Sequence, residues 1–139
     1  MPPRELLDIE IDLPYPRPPL HANQRLHRMA VYRLTTELRA DAHNLARHHR
    51  LPKGLGQVGI VLYWQATVKR SRDNININPT LKPLVDGLVD YGLVPDDDSG
   101  HVTTGTVVEP VAPTARLWLR IVELEPSRVH ATKTDQEQR

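Results

Sequence analysis

The chain has 139 residues, 18 Lys and Arg against 17 Asp and Glu, and no cysteine. That length is enough for one domain with a real core, and the missing thiols exclude disulfides and thiolate metal sites. A net charge of +1 excludes a uniformly basic nucleic-acid binder, and with no apolar run near the ~18 residues of a membrane span and no secretory leader, a cytoplasmic protein is expected.

Leu6 to Leu13 alternates Leu7, Ile9, Ile11 and Leu13 with Asp8, Glu10 and Asp12, which predicts a half-buried strand with its acids toward water. The next stretch, PYPRPPLHAN, is too rich in proline to extend a ladder and reads as an extended crossover. From Asn23 to His49, the apolar residues Leu26, Met29, Ala30, Leu34, Leu38, Ala42, Leu45 and Ala46 recur at helical spacing, with a basic opposite side. Between His21 and Lys53 seven Lys or Arg stand against Glu37 and Asp41, accompanied by five histidines. The histidines do not gather on one helical face, so a zinc site is not expected; His48, His49 and Arg50 suit a helix C-terminus.

Leu51 to Gln57 reads as a loop, and Val58 to Val68 is the longest apolar run, predicting a central strand. A second helix follows, with Asn78 as its expected N-cap, Pro79 at its first helical position, Leu81, Leu84, Val85 and Leu88 on its apolar side and Gly92 at its end. His101 to Val108 and Thr114 to Leu124 read as two further strands, and the polar tail over 126–139 as a mobile end to a single domain over 1–125. The expected fold is α/β: a mixed four-stranded sheet with two helices packed on it, in the order β-α-β-α-β-β.

Chemistry concentrates in KRSRDNININPTLKPLVDGLVDYGLVPDDDSGHV, from Lys69 to Val102. A basic cluster with Asp73 follows the central strand, Lys82 and Asp86 stand one helical turn apart, and Asp96, Asp97 and Asp98 follow the helix. Carboxylates for a divalent cation, a lysine for a phosphate oxygen and arginines for a backbone make a set suited to phosphodiester chemistry. Taken singly, each piece has an ordinary reading: Pro-Asp-Asp-Asp-Ser-Gly as a solvated turn, Lys82 with Asp86 as a surface ion pair.

Arg72-Asp73, Asn76, Lys82, Asp86 and Pro95-Asp96-Asp97 together resemble the RusA family of Holliday junction resolvases, especially its actinobacteriophage branch, over roughly Ile9 to Val122. The resemblance implies a RusA-like, homodimeric, magnesium-dependent endonuclease, with manganese as a substitute, that makes paired cuts in four-way DNA junctions for recombination and repair. It implies Asp73, Lys82 and Asp97 as catalytic residues, with Asp73, Asp97, Asp96 and Asp98 on the metal. Lys69, Arg70, Arg72, Asn76, Arg25 and Arg28 would meet DNA. One departure stands out. The family's second acid falls on Ile75, or in the other register its first acid falls on Ser71, so one carboxylate is missing, and a weakly active or non-catalytic branched-DNA binder is the alternative.

Overall fold

The computed structural model describes residues 5–22, 24–69 and 75–125. Among these, six elements follow in order: β1 (Asp8–Asp12), α1 (Arg28–His48), β2 (Gln57–Gln65), α2 (Asn78–Tyr91), β3 (Val102–Glu109) and β4 (Arg116–Leu124). The strands form one mixed sheet in the order β1-β4-β2-β3, with β4 antiparallel to both neighbours and β3 parallel to β2. The expected α/β architecture and element order are what the structure has. None of the described helices is long and apolar enough to cross a membrane. The expected mobile end at 126–139 lies outside the described residues.

β2 is interior, as its apolar run predicts, but only alternate residues are sealed. Val58, Ile60, Leu62 and Trp64 are buried, while Val61 and Tyr63 are half-buried on the other face. The buried set joins Leu117, Leu119 and Ile121 of β4 with Leu38, Ala42 and Ala46 of α1 and Leu81, Leu84 and Leu88 of α2 in one core. Among the described residues, the opposite face is closed by side chains instead of helices. Trp118 on that face is only 6% exposed because Tyr63 stacks on it with ring centroids 5.0 Å apart and the Arg116 guanidinium lies 4.1 Å from its ring. The acids of β1 do point away from the core, and they meet arginines of β4 there: Arg120 donates to Asp8 at 2.8 Å and Arg116 to Asp12 at 2.7 Å.

α1 begins at Arg28, later than its periodicity suggests, because the preceding residues are committed elsewhere. The Ala22 N–H donates to the Asn76 carbonyl at 3.0 Å and the Gln24 amide to the Pro19 carbonyl at 3.0 Å. His27 then caps the helix, its Nδ1 accepting from the Met29 N–H at 3.1 Å. The crossover is seated on α2 through Thr80, fully buried, whose hydroxyl accepts from the Leu20 N–H at 3.0 Å and donates to the Leu20 carbonyl at 2.6 Å. Both groups of a loop residue are thereby satisfied inside the protein.

Helix α2 lies tight on α1. A Cβ at Gly87 would stand 2.1 Å from the Arg39 carbonyl oxygen and 2.8 Å from the Ala42 Cβ, so only glycine permits this crossing. The expected cap at Asn78 is corrected: Ile77 holds the N-cap position without a side-chain bond, and the Asn76 Oδ1 accepts the Asn78 N–H at 3.0 Å from just outside the helix. The proline at the first turn explains the shift, since it fixes the entry backbone and leaves fewer N–H groups to cap. Gly92 ends the helix in the left-handed conformation, φ 102°, as expected.

Candidate active site

Gly87 meets α1 at Arg39, and Leu84 and Leu88 are sealed in the core, while Lys82 is exposed on α2 one turn before the half-buried Asp86. Their expected pairing is present, Nζ to Oδ1 at 2.8 Å. A second carboxylate arrives from beyond the helix: the Asp97 Oδ2 lies 2.8 Å from the same Lys82 ammonium, across 15 residues of sequence. One cation is therefore held between acids from two different elements.

The turn that delivers Asp97 is built by its neighbours. The Asp96 Oδ1 accepts the Asp97 N–H at 2.7 Å, and the Asp98 Oδ1 accepts the Gly100 N–H at 3.0 Å. The Asp98 carbonyl takes the N–H groups of His101 and Val102 at 3.0 and 2.9 Å, and the His101 carbonyl in turn accepts from Val58 at 2.8 Å, which pins the turn to the sheet. Asp96 and Asp98 thus spend one oxygen each on folding their own turn. Asp97 alone of the three reaches across to Lys82.

Lys82 and Asp97 share a cleft of about 210 Å³ with Asn78, between walls of Leu81 and Val85 from α2 and Val102 and Thr104 from β3. Asn78, expected as a cap, instead lines this cleft. Hydrogen bonds first to Asp86 and then to Asp97 raise the Lys82 pKa above the ordinary lysine value. The Lys82 hydrogen bond holds the Asp97 carboxyl below the usual carboxylate value. The ammonium is accordingly a fixed positive charge, and Asp97 a fixed negative one, over the working range of pH.

Asp86 and Asp97 offer only oxygen donors, which in kind suit a hard divalent cation such as magnesium. No group of three or more His, Asp or Glu side chains placed to hold a metal occurs among the described residues. The further expected ligand, Asp73, lies outside the described residues, as do Arg70, Ser71 and Arg72. Ile75, which occupies the family's second-acid position in one register, is half-buried and packs against the core. Lys69 is exposed just past β2, and Asn76 is exposed with its carbonyl oxygen engaged at the start of α2. Arg25 and Arg28 are exposed at the entrance to α1, on a stretch where Met29 is 61% and Tyr32 68% exposed. A protein-family scan finds no model that matches the chain, and comparison with curated proteins finds no match either.

Proposed function

We propose that the Lys82 cleft is the active site of a magnesium-dependent endodeoxyribonuclease acting on branched DNA, four-way junctions foremost, as a homodimer in the cytoplasm. The observation that carries this reading is the convergence of Asp97 and Asp86 on one lysine at 2.8 Å each, in a cleft at the sheet's edge. The hydrolysis adds water to phosphorus and breaks one P–O ester bond, leaving a phosphate monoester and a hydroxyl. Asp97, Asp86 and Asp73 would hold the cation, which when bound lowers the pKa of its water and offsets charge on the phosphate; manganese would serve in its place. Lys82 would release a carboxylate to the cation and donate to a phosphate oxygen, where charge grows in the transition state. Arg25, Arg28 and Lys69, exposed on the same chain, would neutralise flanking phosphates, joined by Arg70 and Arg72.

The test is cleavage of a mobile synthetic four-way junction in magnesium. Lys82→Ala should lower the rate by roughly 100- to 1000-fold, the scale of losing one preorganised donor to a transition-state oxygen. Asp97→Asn should do at least as much, and chelation should abolish cutting in the parent. Unchanged cleavage by Asp97→Asn would end this assignment.

A second reading, a branched-DNA binder that does not cut, is favoured by Ile75, whose packing against the core leaves no carboxylate at that position. It expects junction binding to persist with no product in either magnesium or manganese.

A further inference from the structure

The two edges of the sheet are built differently. β1 is 5 residues long and carries three acids, the pattern that keeps an edge from recruiting another strand. β3 is 8 residues long, VTTGTVVE, with no Lys, Arg or Pro and a single acid at its last position. Its only strand neighbour among the described residues is β2. The Val58 N–H bonds the His101 carbonyl and Val58 is registered opposite Val102, so in this parallel ladder the odd-numbered residues of β3 direct their N–H and C=O groups to β2. Those of Val102, Thr104, Thr106 and Val108 point to the open edge.

We infer that β3 pairs antiparallel with β3 of a second copy about a two-fold axis at Gly105, joining two sheets into one of eight strands. The strand reads nearly alike in both directions from that glycine: Thr104 is matched by Thr106, Thr103 by Val107 and Val102 by Val108. A two-fold there sets β-branched residues opposite β-branched residues on both sides of the glycine pair. The geometry agrees with this register, because Thr104 and Thr106 both face the edge and form a hydrogen-bonded pair, while the two Gly105 residues meet as a non-hydrogen-bonded pair on the axis. The self-matching strand selects a second copy of this chain over a strand of other sequence.

The pairing also bears on the Lys82 cleft. Val102 and Thr104 form its outer wall, and they are the residues that face Val108 and Thr106 of the second copy. Each copy then closes the open side of the other's cleft. The strand pairing stands on β3 alone; its effect on cleavage rests on the proposed nuclease reading.

Cysteine scanning separates the two, because the chain has no cysteine of its own. A Cβ at position 105 meets nothing within 4 Å, so Gly105→Cys is accommodated by the fold. Across a non-hydrogen-bonded pair the Cα atoms lie ~4.5 Å apart, within bridging range. Mild oxidation should give a disulfide-linked dimer from Gly105→Cys and none from Thr103→Cys, whose neighbour across the axis is Val107. Sedimentation should find the unmodified chain dimeric, and Thr106→Pro, which removes an N–H from the open edge and none from the β2 ladder, should be monomeric with an unchanged circular dichroism spectrum. A monomeric parent, or equal crosslinking of the two cysteine variants, overturns the pairing. A crosslinked dimer that cuts no junction upholds the pairing and counts only against the nuclease reading.

Discussion

Lys82 is the residue whose surroundings say most. An exposed lysine one turn from an aspartate is a weak ion pair in most proteins, and the Lys82–Asp86 contact by itself would contribute well under ~1 kcal/mol to stability. A second carboxylate on the same ammonium changes what the group can do, because the pair of acids can trade the lysine for a cation of higher charge. The shift on Asp97 gives a direct measurement. Its carboxyl pKa is depressed by the Lys82 hydrogen bond, so the contact is present above the ordinary carboxylate value and is lost as pH falls through the depressed one. An NMR titration of the Asp97 carboxyl should therefore give a midpoint below that of an unperturbed aspartate, and Lys82→Gln should return it toward ordinary. A normal midpoint in the parent would show that Lys82 does not hold Asp97 in solution. At this scale Lys82, Asp86 and the acidic turn were legible in the sequence. The division of labour within the turn was not, since three adjacent aspartates look alike until backbone geometry assigns Asp96 and Asp98 to turn hydrogen bonds.

Among the elements, α2 is the one that the site depends on, and its position is set by Gly87. Replacing that glycine with alanine favours a helix by ~0.5–1 kcal/mol through backbone entropy. The added methyl would meet the Arg39 carbonyl at 2.1 Å, a backbone atom that cannot swing aside. Overpacking of this kind costs about 1–3 kcal/mol, so the clash wins, and Gly87→Ala should lower the denaturant midpoint with little change in slope. The pairing of Arg39 with Asp90, at 2.8 Å and 2.5 Å, locks the same crossing from its exposed side. Periodicity found both helices because burial repeats with the turn of the backbone. It overran the start of α1 by several residues because the bonds that divert the chain, from Ala22 to Asn76 and from Gln24 to Pro19, join segments far apart in sequence or use a side chain.

For the whole molecule, charge is better described by where it lies than by its total. The arginines of β4 are spent on the acids of β1, whereas Arg25 and Arg28 at the entrance to α1 are in no ion pair among the described residues. If they meet phosphates, the double variant Arg25→Ala, Arg28→Ala should weaken junction binding and reduce the slope of log affinity against log salt by up to about two units, roughly one per lost contact. An unchanged slope would remove α1 from the DNA surface. Val58 to Val68 illustrates the limit of the one-dimensional pattern at this scale. The run predicts an interior strand, and β2 is interior, yet the sequence does not say that the described helices cover one face only, with Tyr63, Trp118 and Arg116 closing the other.

The amino-acid order alone determined the element sequence, the α/β class and the short list of chemically able residues, because these follow from local spacing: alternation for strands, the helical period for α1 and α2, proline and glycine at the breaks. Only the folded chain decided that Asp97 and Asp86 share Lys82, that Thr80 anchors the crossover at Leu20 and that β3 has β2 as its only strand neighbour among the described residues. Each of these depends on segments meeting across the sheet or the helix layer, and such meetings are selected by packing and strand pairing over the whole domain.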